Sequence, residues 1–138
     1  MQDFTQRISI VVRRDIEPWQ VTNTIGHIAA YLGNKIGDKL LTGESFTTKD
    51  GVTLPRNSQY PIIVLSADEK LHSLLAEVQK SGFLYVAYIK NMIDEIDDAK
   101  LEVTVTSLDL SDLDILGIGI FGPNETVKSI TKPLKLWK

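Results

Sequence analysis

The chain contains no cysteine. That excludes disulfides, thiolate metal sites and a cysteine nucleophile. Histidine is nearly as scarce: 138 residues hold only two, His27 and His72, with no matched spacing, so no zinc ligand set can be assembled and no metal or other cofactor is expected. No apolar run approaches the ~20 residues that cross a bilayer, and the opening MQDFTQR lacks the apolar core of a signal peptide. A cytoplasmic protein with no membrane segment is the expectation. Positive charge is not in excess, since 15 Lys and Arg against 18 Asp and Glu leave a formal charge of −3. That balance argues against nucleic acid as a partner. No serine stands in a G-x-S-x-G elbow, which leaves an α/β-hydrolase triad without its nucleophile. The composition, 43% hydrophobic and 24% charged, suits one domain over residues 1–138 with a core of its own.

What the chain does have is strongest in residues 7–33, RISIVVRRDIEPWQVTNTIGHIAAYLG. Ile8 to Val12 is a short run rich in β-branched residues, the kind that forms a strand covered on both faces. Arg13, Arg14 and Asp15 end it with charge, and Pro18 suits the first turn of a helix, where a missing N–H costs nothing. At ~100° per residue, Val21, Ile25, Ile28 and Leu32 share one stripe that would face a sheet. Gln20, Asn23 and His27 then fall on the opposite side, with Trp19, Gly26 and Ala30 beside them. Gly33 is the expected stop.

Further along, residues 43–60 read as a hairpin, with ESFTT and VTLP around Lys49, Asp50 and Gly51. Pro61 to Leu65 is a second strand, and Ser66 or Asp68 is placed to cap a helix carrying Leu71, Leu74, Leu75 and Val78 before Ser81 and Gly82. Phe83 to Ile89 is a third strand and Ile115 to Phe121 a fourth, followed by a turn at Gly122 and Pro123 and a short helix from Glu125 to Ile130. An extended apolar tail closes the chain at Trp137. Residues 91–113 are ambiguous: LEVTVTSL alternates like a strand and is equally compatible with a helix. Strands alternating with helices indicate an α/β layer sandwich.

Three blocks resemble the type II peptidyl-tRNA hydrolase fold: IVVRRDI with the histidine-bearing helix, PIIVLSADEKLHSLLAEVQKSGFLYVAYI, and LGIGIFGPNETVKSITKPLKLW. The closer resemblance is to a family sharing that fold, the domain-of-unknown-function family numbered two thousand. It is carried by VVRRD-x-x-PWQ, the DGV hairpin, the YP-initiated second strand, LGI-x-x-FGP and the LW ending. The resemblance covers nearly the whole chain. It implies a three-layer α/β/α sandwich around a mixed four-stranded core sheet, the last core strand antiparallel to the others, plus the inserted β-hairpin. Of the hydrolase's functional residues, its histidine matches His27 and its strand-end motif matches Arg13 and Asp15. Its lysine-rich approach to the histidine is absent, with Gln20 near the lysine position and Thr24 in place of a glutamine. Its Asp and Thr after the third strand meet IKNMIDEI instead. Peptidyl-tRNA cleavage is therefore not expected.

The expected site is a small-molecule pocket near the end of the first strand. Arg13, Trp19, Gln20 and Asn23 would contact the ligand, and His27 and Asp15 form the pair that catalysis would need. As an enzyme the protein would be a hydrolase or acyl-transfer catalyst with His27 as general base and Asp15 orienting it. The rival is a non-catalytic binding or assembly module, and a homodimer is compatible with either. A solvated helix face accounts equally well for His27 on base rates, and for His72 better than any role in a site. Gly117, Gly119 and Gly122 match G-x-G-x-x-G, but the first two fall inside a strand, where they would admit a close-packed helix or ligand rather than form a dinucleotide turn. The acidic residues from Asp94 to Asp114 show no EF-hand order and read as a solvated loop. Lys128, Lys132, Lys135 and Lys138 form a basic C-terminal face, either cations favoured near a helix end or a phosphate contact.

Overall fold

The structure, a computed structural model, describes residues 2–138. Its centre is β1 (Gln6–Arg13), which pairs in parallel with β4 (Ile62–Ala67) and antiparallel with β6 (Ile115–Pro123). Beyond β6 lies β5 (Leu84–Ile89), antiparallel to it. Side chains of a strand alternate between faces. Ile8, Ile10 and Val12 accordingly enter one buried cluster and Val11 another. Helix α1 (Pro18–Ile36) packs into the first cluster through Val21, Ile28 and Leu32, while α2 (His72–Ser81) and α5 (Asn124–Ile130) pack into the second through Leu75, Val78 and Val127. Helices thus cover both faces of the sheet. Each fully buried aliphatic side chain here contributes about 1.5–3 kcal/mol of transfer free energy, and β1 and β6 each supply four of them.

The sheet has five strands rather than the four-stranded core expected. The apolar tail supplies the fifth, β7 (Lys135–Leu136), which pairs antiparallel with the edge of β4. The Trp137 N–H donates to the Val64 carbonyl at 3.0 Å, which continues the pairing beyond the assigned strand. Period alone does not distinguish a two-residue edge strand from an extended tail. Gly33 does not stop α1. The helix runs a further turn to Ile36, and Gly37, with φ at 70°, ends it. Neither Ser66 nor Asp68 caps α2, because β4 extends through Ser66 to Ala67 and the helix starts at His72 behind Leu71. Gly122 and Pro123 belong to β6 rather than to a turn, and α5 follows directly at Asn124.

Residues 91–112, left open between strand and helix with acidic residues read as a solvated loop, form α3 (Asn91–Asp94), α4 (Asp98–Thr106) and a 3-10 turn. The Asp97 carboxylate accepts from the Ala99 and Lys100 backbone N–H groups at 3.0 and 3.2 Å and so nucleates α4, against the strand-like alternation of LEVTVTSL. The hairpin is present as β2 (Phe46–Thr47) and β3 (Thr53–Leu54), with Gly51 at φ 91° in its turn. Phe46 and Leu54 are each 49% exposed, and Phe46 packs under the Arg56 guanidinium at 4.0 Å.

Two glycines of β6 set the distance between sheet and helix. A Cβ on Gly119 would stand 2.3 Å from Ile28 Cγ2 and 2.9 Å from Leu32 Cδ1, and one on Gly117 would stand 2.7 Å from Thr24 Cγ2. The G-x-G segment therefore admits a helix, as its position inside a strand implied. On α1 itself, Gly26 has open space where a Cβ would be. Gly119→Ala is expected to destabilise the fold by about 1–3 kcal/mol through overpacking. Gly26→Ala is expected to stabilise it by about 0.5–1 kcal/mol through helix propensity. Urea denaturation midpoints moving in opposite directions for the two variants check both statements.

Candidate functional site

The open face of α1 carries three of the six expected site residues, Trp19, Asn23 and His27. Trp19, Thr22, Asn23, Gly26, His27 and Ala30 recur at helical spacing and line a shallow groove of about 540 Å³. Its walls are low because Gly26 and Ala30 present almost no side chain, and Trp19, 56% exposed, stands at one end. Thr22 is tied to its own helix, its hydroxyl donating to the Trp19 carbonyl at 3.0 Å.

His27 is placed by a residue the sequence reading missed. Its ring stacks on Tyr88 of β5, with centroids 4.8 Å apart and planes 14° from parallel. Tyr88 is 6% exposed, and its hydroxyl donates to Asn23 Oδ1 at 3.1 Å. Burial pushes the Tyr88 phenol above its ordinary value, so it remains a donor across the neutral range. Asn23, Tyr88 and His27 thus form one unit spanning helix and sheet. The signal for Tyr88 was a polar aromatic inside a strand otherwise read as buried: a buried tyrosine hydroxyl needs a partner. Which helix would supply that partner is a matter of tertiary packing.

The remaining expected residues lie elsewhere in the structure. The Gln20 side-chain oxygen accepts from the Glu17 backbone N–H at 3.1 Å, so it caps α1 rather than facing the groove. Arg13 grips Asp15 with two parallel bonds, Nε to Oδ1 at 2.9 Å and Nη2 to Oδ2 at 2.8 Å, and its Nη1 donates to Asp114. Both oxygens of Asp15 are engaged in this way, and the hydrogen bond from Arg13 holds its carboxyl below the ordinary value of 3.8. Among the described residues, no carboxylate pairs with His27. The structure therefore brings Trp19, Asn23 and His27 together and joins Arg13 to Asp15, but does not join His27 to Asp15. His72 is half-buried rather than on the open surface, with Nε2 3.1 Å from the Leu110 carbonyl.

The family described as a protein of unknown function (DUF2000) matches residues 6–138. A solved protein of unknown function, Atu0240 from Agrobacterium tumefaciens strain C58, has a TM-score of 0.84 to this chain at 22% identity, covering 99% of this chain and 100% of its own. At that identity the likeness concerns the fold. No curated protein matches the chain.

Two measurements check the geometry. Tyr88→Phe keeps the stack but removes the donor to Asn23, for an expected loss of about 1 kcal/mol in chemical denaturation. For Asp15, a carboxyl held low in the folded state stabilises it above the unfolded value near 3.8, and that contribution is lost as pH falls through the folded value. Carboxyl carbon NMR should show Asp15 titrating below its ordinary range in the native protein and returning to that range in Arg13→Met.

Proposed function

We propose that this chain, which belongs to the DUF2000 family of proteins of unknown function, is a binding protein of peptidyl-tRNA hydrolase II-like fold that receives a small, flat, polar ligand on the α1 face around His27. The observation that carries this reading is the His27–Tyr88 stack, buttressed through Asn23, beside an exposed Trp19. An imidazole fixed parallel to a buried phenol is pre-organised, so little side-chain entropy is lost when a second flat group lies against its other face. Trp19 offers a second aromatic surface and His27 a ring nitrogen for hydrogen bonding. The fold reading is supported by β6 running antiparallel to both β1 and β5 beneath a histidine-bearing first helix.

Binding without turnover fits the site better than hydrolysis or acyl transfer. A histidine base works best when a second group fixes its tautomer and orientation, and the carboxylate nominated for that task, Asp15, is committed to Arg13. Glu17, Pro18 and Trp19 stand where cationic contacts to a phosphate-rich substrate would be needed.

Two assays test the reading. In a Trp137→Phe background, Trp19 is the remaining tryptophan, so a screen of nucleosides and aromatic carboxylates can be followed by its fluorescence. Saturable quenching weakened at least about tenfold by His27→Ala is expected. A screen in which no compound quenches saturably, or in which His27→Ala leaves affinity unchanged, overturns the site. On labelled peptidyl-tRNA no turnover is expected. Rates within about tenfold of a genuine type II enzyme that fall ~10²–10⁴-fold in His27→Ala would instead establish catalysis.

A further inference from the structure

A deeper cleft lies at the carboxyl ends of the parallel pair β1 and β4. It encloses about 430 Å³, within the range of small-molecule sites, and is walled by the start of α2 and the chain following α5. Crevices beyond the carboxyl ends of parallel strands are where open α/β sheets usually hold ligands. Its contents follow from three groups of side chains. Leu74, Ile130 and Leu134 form an apolar wall. Arg14, Lys70 and Lys135 are matched in number by Asp68, Glu69 and Glu77, so the lining has no net charge. That balance disfavours a multiply charged anion, which would gain from the cations only what it lost to the carboxylates. It also disfavours a metal, and among the described residues no group of three or more acidic or histidine side chains is arranged to hold one.

The cationic corner is built rather than incidental. Arg14 Nη2 donates to the hydroxyl of Ser66, a residue only 6% exposed, at 3.0 Å. The Arg14 guanidinium also lies over the Trp137 ring at 5.7 Å, and its Nε faces Asp68 at 3.7 Å. The Ser66 hydroxyl in turn contacts the Lys135 carbonyl at 3.5 Å. Arg14 is therefore held at the strand end by groups from β4 and the C-terminal segment. At the other end, Glu77 stands in the second turn of α2, one turn of about 5.4 Å beyond Ser73 on the same face. One cleft is thus lined by a guanidinium, by a carboxylate from a different element and by an apolar wall, three kinds of group that one small molecule can match.

We infer that this cleft binds a free aliphatic α-amino acid, its carboxylate on Arg14, its ammonium toward Glu77 and its side chain against Leu74, Ile130 and Leu134. The inference is independent of the α1 face. It is tested with L-leucine as the probe against the full chain, with amide NMR to locate binding and calorimetry for affinity. Two truncated probes, 4-methylpentanoate without the ammonium and 3-methylbutylamine without the carboxylate, separate the charge requirements. Expected are shifts at Ser66, Leu74 and Leu134, and affinity for each truncated probe at least about tenfold below that for leucine, the loss typical of one charge-assisted contact. Glu77→Gln, an exposed change that leaves packing intact, should weaken leucine by a similar factor, as should Arg14→Met, with Arg14→Lys recovering part of the loss. No shifts at about 10 mM leucine, a concentration that would reveal even millimolar affinity, overturn the inference. Shifts confined to α1, or a truncated probe binding as well as leucine, overturn it equally.

Discussion

Much of this structure depends on how closely α1 approaches the sheet, and that distance is set by the missing side chains of Gly117 and Gly119. With hydrogen atoms there, Thr24, Ile28 and Leu32 descend onto β6, close enough that an added Cβ would overlap them. The same gap admits Tyr88, the neighbour of Gly117 across the β5–β6 pairing, whose ring joins the cluster beneath α1. A larger residue in β6 would lift the helix and separate Tyr88 from both Asn23 and His27. Packing density and the candidate site are in that sense one constraint: interiors are filled like crystals, so a difference of one methyl group is felt at the surface above it.

Electrostatics divides the charged residues near the end of β1 by task. Arg13, its side chain only 17% exposed, draws Asp15 and Asp114 to itself and ties the strand end to the start of β6. Arg14, next in sequence and pointing the opposite way as strand alternation requires, reaches Ser66 and Asp68 on the other side. The two adjacent arginines therefore serve different faces. Asp15 is a structural counter-ion in this arrangement, which leaves His27 to its stack on Tyr88.

Much of the fold was legible because it rests on local pattern. The β-branched run of β1, the stripe Val21, Ile28 and Leu32, and the turn at Gly51 are short-range signals whose physics is contained within a few residues. The departures have equally particular causes. Gly33 lies inside α1 because its neighbours continue the helix, at a modest propensity cost. Residues 98–106 are helical through one aspartate cap despite an alternating pattern, and none of them is fully buried, so packing enforces a period only weakly. The tail became β7 because β4 had an unpaired edge, a fact about the sheet rather than about the tail.

The candidate site divides along the same line. That Trp19, Asn23 and His27 share one face of a helix follows from 3.6 residues per turn and needed only the sequence. That Gln20 would cap its helix while Asp15 would be clasped by Arg13 was decided by which donors lay within reach once the chain had folded. Tyr88 is separated from His27 by three strands' worth of chain, and their contact exists only because β5 was placed two strands from β1 across the glycines of β6. The cleft at the strand ends likewise draws on Arg14, Ser66, Glu77 and Leu134, four segments that no periodicity connects. Sequence determined which residues could share a helix face or a strand face, since those relations are fixed by backbone geometry. Tertiary structure decided which faces meet, because that choice depends on steric fit between segments distant along the chain.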